Sequence, residues 1–136
     1  MFKKIFMVSL LILSACSNVK DEPLPVTSSS EKAIEFFNKA VYHVWQGEWN
    51  EGKNNFQSAL RIDPNFVMAN LWGWSDDPIQ NRKYNEAAIA NKDNVSDAER
   101  IRVEMMMAGR EGDQETRLNL AKELVEKYPN SSDAYM

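Results

Sequence analysis

Two pairs of chain breakers, set the same distance apart, constrain the fold of this chain more than any other feature. Gly47 precedes Pro64 by 17 residues, and Gly112 precedes Pro129 by 17 residues. Glycine ends a helix at little cost because it enters the left-handed region, and proline cannot continue one because it lacks an N–H. Around these breaks the apolar residues recur at helical spacing. Ile34, Phe37, Val41 and Val44 fall at i, i+3, i+7 and i+10, one face of a helix that begins near Glu31 and stops at Gly47. A second helix is predicted from about Trp49 to Ile62, carrying Gly52, Phe56, Ala59 and Leu60, with Asp63-Pro64-Asn65 as its stop. Ser28 to Glu31 offers a capping box for the first helix, and Ser96 to Glu99 offers another. From Ser96 a helix runs through Ile101, Met105 and Ala108 to a turn at Gly112-Asp113. A last helix over 113–128 carries Leu118, Ala121, Leu124 and Val125. The expected fold class is all-α, made of antiparallel helix pairs.

The residues of the first pair resemble a tetratricopeptide (TPR) repeat, a two-helix unit of about 34 residues. Gly47-Glu48-Trp49-Asn50-Glu51-Gly52, then Phe56, Ala59-Leu60 and Asp63-Pro64-Asn65, stand at the consensus offsets. Phe36 and Ala40 match two first-helix positions, while Lys39 and His43 depart from the pattern. Tyr84-Asn85-Glu86-Ala87 is similar to the opening of another second helix. One residue inserted near Ser75-Asp76-Asp77-Pro78 and four deleted near Asn91 to Asn94 reconcile two repeats with the 65-residue separation of Gly47 and Gly112. The units are then about 31–65, 66–95 and 96–130, with 131–136 as the start of a further helix. The resemblance implies a TPR-like α-solenoid whose first helices line a groove for extended or helical peptides. In that register Ile34, Phe37, Val41, Val44 and Trp45 line the groove. Packing of the same stripe against the second helix is the competing reading, and an unrelated helical hairpin bundle would share the periodicity. A TPR array normally closes with a polar capping helix. Ser132-Asp133-Ala134-Tyr135-Met136 cannot supply one, so a longer chain or a covering partner is expected.

The start of the chain carries a different signal. Lys3 and Lys4 precede an apolar run from Ile5 to Leu13, and Ser14-Ala15 are small. The run is too short to cross a bilayer of roughly 30 Å, which takes about 20 residues. Leu13-Ser14-Ala15-Cys16 resembles the lipobox of bacterial lipoproteins. That resemblance implies a signal peptide over 1–15, cleavage between Ala15 and Cys16, and acylation of Cys16, placing the protein on the outer membrane by a lipid anchor. An ordinary secretory signal with a stray cysteine and a cytosolic protein with an apolar start are the alternatives. Residues 16–30 read as a flexible, disordered tether, rich in serine and proline and poor in large apolar residues. Its 14 residues after Cys16 extend to about 45 Å. Within it Lys20-Asp21-Glu22 is similar to the surface-export signal of one group of lipoproteins; a solvated linker is the equal alternative.

Charge and residue inventory narrow the chemistry. Removing Lys3 and Lys4 with the signal leaves 14 Lys+Arg against 20 Asp+Glu, a formal charge of −6. No basic block remains for nucleic acid or for anionic headgroups. Cys16 is the only cysteine and His43 the only histidine. With Cys16 consumed by lipidation, no thiol is left for a disulfide or a cysteine zinc site, and no triad or metal constellation is visible around His43, which reads as a half-buried structural residue. No phosphate loop or nucleophile-elbow motif occurs. Asp76-Asp77 lacks the ligand spacing of a calcium loop and reads as a capped turn. Met105-Met106-Met107 reads as core filling, and Trp72 and Trp74 as residues on different faces of one short helix. The chain is expected to be no enzyme and to need no metal or cofactor. The reading is a lipid-anchored envelope scaffold that binds a protein or peptide. Carbohydrate capture, as in the SusD-like lipoproteins, or the front end of a longer envelope protein are the alternatives.

Overall fold

The structure, a computed structural model, describes residues 20–135. The expected signal segment, its expected cleavage between Ala15 and Cys16 and the expected lipidation of Cys16 fall outside the described residues. Those residues form six α-helices and no strand. α1 is Glu31–Trp45, α2 Trp49–Ile62, α3 Val67–Trp72, α4 Pro78–Asn91, α5 Asp97–Glu111 and α6 Gln114–Lys127. Short 3₁₀ turns occupy Lys92–Asn94 and Ser132–Tyr135. α1 packs on α2, α3 on α4 and α5 on α6, while α2 to α3 and α3 to α5 contacts join the pairs.

The two glycines do what their spacing predicts. Gly47 has φ 78° and Gly112 φ 76°, and Gly112 N donates to the carbonyls of Ala108 and Gly109 as α5 ends. Both arms of the Ser96–Glu99 capping box form. Asp77 caps α4 ahead of Pro78, and Asp113 caps α6 by accepting from Thr116 N. The second pair is irregular. α3 is only six residues long. Ser75 then folds onto Asn81, with Ser75 N to Asn81 Oδ1 at 2.6 Å and Asn81 Nδ2 to Ser75 O at 3.0 Å. α4 runs out at Asn91 into the 3₁₀ turn.

The first pair is held by aromatic packing. Phe37 meets Phe56 edge-on at 5.7 Å between ring centres and Phe66 at 5.1 Å. Gly52 lets α2 approach α1, because a Cβ there would stand 2.7 Å from Val44 Cγ2. A second cluster joins Ala98, Ile101 and Leu124 to Leu24 and Ala134. A third, Val67, Ala88 and Val103, ties the middle helices to α5, with Met106 and Met107 packed on it.

Several expectations change. The N-cap of α1 is Ser30, which accepts from Ala33 N, so Ser28 and Glu31 form no capping box. Ser28 Oγ donates instead to Asp63 at 2.6 Å. Trp74 lies beyond α3, in the connection, and packs on Phe56 and Trp49. The largest change is in the tether. Residues 20–30 are not a free linker. They lie across the helices, because Leu24 and Val26 supply apolar area and the serines and threonine meet buried carboxylates.

Candidate functional site

The strap formed by residues 20–30 defines the one face of the molecule that already holds a segment of polypeptide. Pro23 and Pro25 fix φ near −65° and bias Glu22 and Leu24 towards extended backbone, so the strap cannot coil. Its first anchor is Asp21, whose carboxylate accepts from Ser132 N and Ser132 Oγ, both at 2.8 Å. Those bonds, the backbone one foremost, hold the Asp21 carboxyl below its ordinary pKa. Glu22 N donates to the carbonyl of Asn130 at 3.1 Å. Leu24 is buried against Ile101 and Leu124, and Val26 packs on the aromatic core.

Two buried acids clamp the second half. Glu99 is 1% exposed. It accepts from Thr27 N at 2.9 Å, Thr27 Oγ1 at 2.6 Å and Ser96 Oγ at 2.8 Å. Asp63 is 6% exposed. It accepts from Ser28 Oγ at 2.6 Å, Ser29 N at 2.8 Å and Asn65 N at 3.1 Å. Burial alone would raise the Asp63 pKa, but the hydrogen bonds from Ser28, Ser29 and Asn65 together outweigh it and leave it below the ordinary value. A buried charge needs hydrogen-bond partners, and the strap supplies two donors to each acid, beside Ser96 for Glu99 and Asn65 for Asp63.

Beside the strap lies a cavity of about 190 Å³. Leu24 and Val26 line it from one side and Phe37, Val41, Met68 and Trp72 from the other. Arg102 also reaches it. The Arg102 guanidinium donates through Nη2 to the carbonyl of Asp133, while its buried Nε finds no partner among the described residues. Burial lowers its pKa and Asp133 works in the opposite direction; a guanidinium stays charged in either case.

The five expected groove residues do not form one open surface. Phe37 and Val41 line the cavity, but Phe37 is 5% exposed and belongs to the core. Ile34 packs on that core, and Val44 faces Gly52 of α2. Trp45 stands 61% exposed at the end of α1. The stripe read from Pro64 is divided between the strap and α2. Of the Lys20-Asp21-Glu22 triplet, Asp21 and Glu22 are engaged with the loop after α6 and Lys20 is exposed.

The strap, Asp63, Glu99 and Arg102 are what sequence reading missed. A signal was present in part: Leu24 and Val26 alternate with prolines, and a serine-threonine run follows them. The partners of that run lie 34 to 72 residues away, beyond any local pattern. His43 bonds Glu48 across the α1–α2 turn, Nδ1 to Oε2 at 2.6 Å. Asp76 pairs with Lys53 at 2.8 Å. Among the described residues no three His, Cys, Asp or Glu side chains sit together as a metal site, and no helix is long and apolar enough to cross a membrane. Comparison with protein-family models, curated proteins and solved structures returned no significant match.

Proposed function

We propose that this chain is a lipid-anchored adaptor of the cell envelope, fixed to the outer membrane through Cys16, whose TPR-like helix pairs form a short solenoid that engages a polypeptide. One observation carries the reading: the helices already hold a non-helical segment by its main chain. Glu99 accepts from Thr27 N and Asp63 from Ser29 N. Main-chain donors are common to every peptide, while the alternate side chains Leu24 and Val26 fill apolar positions. The division of labour follows. The lipid sets location, the strap sets orientation, and the helices present a binding face.

Strap docking also changes the reach of the anchor. With Asp21 bound to Ser132, only four residues, and so five Cα steps, separate Cys16 from a fixed point. They extend to about 18 Å at most, against about 45 Å for a free tether. The domain then rides close to the bilayer with the loop after α6 towards it. Several acyl chains hold a soluble domain where one does not. Metabolic labelling with a fatty acid tests the anchor. Wild-type protein takes up label and fractionates with the outer membrane, and Cys16→Ser does neither. Wild-type protein without label overturns the anchored reading.

A further inference from the structure

Arg102 and Trp72 have a second side. The guanidinium lies 5.5 Å from the Trp72 ring centre, and away from the strap the same two residues border an open groove of about 480 Å³. Leu71, Met105 and Met106 give it an apolar wall, and Arg110 and Arg117 join Arg102 in it. Arg110 and Arg117 are exposed. Among the described residues none of the three arginines makes a salt bridge. Arg100, on the same helix, is neutralised by Asp97 and Glu104. Three guanidinium groups without a salt bridge in one groove, with Asp133 near Arg102, are therefore a local excess of positive charge on a chain whose net charge is negative.

Helix geometry sets the spacing of that charge. Arg102, Met106 and Arg110 stand at i, i+4 and i+8 on α5 and share a face. The two arginines are separated by about 12 Å along the axis. An extended chain advances about 3.3 Å per residue, so carboxylates about four residues apart meet both. Arg117 reaches over from α6, its Cδ 3.6 Å from where a side chain at Gly109 would begin.

We propose that this groove binds an acidic, extended polypeptide segment, with two carboxylates about four residues apart and an apolar side chain between them. The proposal rests on the adaptor reading and names the class of its ligand. Guanidinium groups take carboxylates in paired hydrogen bonds, and Trp72, Met105 and Met106 offer adaptable apolar contact to the side chain between. A free phosphate would use none of that apolar wall. A long nucleic-acid polyanion would meet repulsion from the acidic remainder of the surface.

Fluorescence anisotropy on the full chain in detergent tests it, with two labelled synthetic peptides. One carries two glutamates four positions apart around a leucine; the other has glutamines in their place. The glutamate peptide binds at least about tenfold tighter, and added salt weakens it. Arg110→Gln and Arg117→Gln each reduce its affinity by about tenfold, with an unchanged melting curve because both side chains are exposed. Replacing the leucine with serine also weakens binding. Equal affinity for the two peptides overturns the proposal but leaves a polypeptide-binding adaptor standing. Tighter binding of inorganic polyphosphate than of the glutamate peptide, or indifference to both arginine substitutions, overturns it as well. Fatty-acid labelling of Cys16 is read separately, so loss of the anchor and loss of this groove are told apart.

Discussion

The first and third helix pairs are built to the same plan but closed by different means. Six of the nine buried residues in the first cluster come from α1 and α2 themselves, and α3 with its N-cap supplies the other three. Phe37, Phe56 and Phe66 interlock there. In the third pair, two of the five buried residues come from outside the pair: Leu24 from the strap and Ala134 from the turn after α6. Its helices contribute only Ala98, Ile101 and Leu124. Aromatic side chains bury enough area for two helices and a short third to seal one another. The three aliphatic residues of the third pair do not, so that pair borrows closure from the strap and from the turn after α6. Stability is then unevenly distributed: the strap touches both halves, through Val26 and Asp63 in the first, but only in the third pair does it supply a buried core residue, Leu24.

The largest test of that contrast is Phe56→Ala. Phe56 is 1% exposed, and truncation of a core aromatic costs about 3–5 kcal/mol. Thermal and urea melts should show a cooperative loss centred on α1 and α2. A cost below about 1 kcal/mol would break the picture of an aromatic lock. Next in size is Leu24→Ala, at about 2 kcal/mol, the low end for a buried leucine because an irregular strap can partly close the gap. Its effect should be local. Amide exchange should quicken in α5 and α6 while α1 and α2 keep their protection. Equal loss in both pairs would show that the strap supports the molecule as a whole.

The smallest effect is the response to acid. Hydrogen bonds hold Asp63 below its ordinary pKa against the opposing effect of burial, and those from Ser132 do the same for Asp21. A depressed carboxylate contributes stability that is present above its unfolded pKa, about 3.9, and lost as pH falls through the lower folded value. The Ser29 amide should therefore lose protection below about pH 4, before the helices melt. Asp63→Asn keeps an acceptor but removes the titration, so its strap should loosen without that pH dependence. A strap that stays protected at low pH in the wild type would mean that Leu24 and Val26 hold it without the clamp.

Much of the helix framework was legible because its causes are local. Gly47 and Gly112 turn the chain, Pro64 and Pro129 stop it, and Ser96 with Glu99 starts α5; each acts within four residues of itself. Trp49–Ile62 matches the predicted second helix at both ends, and the last helix differs by one residue at each end. The candidate site was legible only as a helix face. Phe37 and Val41 were read as one stripe of α1, but nothing near them in sequence indicates that Leu24 and Val26 would lie beside that stripe.

What the sequence determined by itself was where α2, α5 and α6 start and end to within about a residue, and that Gly52 must be small for α2 to lie on α1. Composition also argued that residues 16–30 could form no core of their own. Only the tertiary structure decided that much of this segment would complete one made by others. The physical reason is the cost of a buried carboxylate. Glu99 and Asp63 must have hydrogen-bond donors once they are enclosed, and Thr27, Ser28 and Ser29 are the donors that the folded chain brings to them.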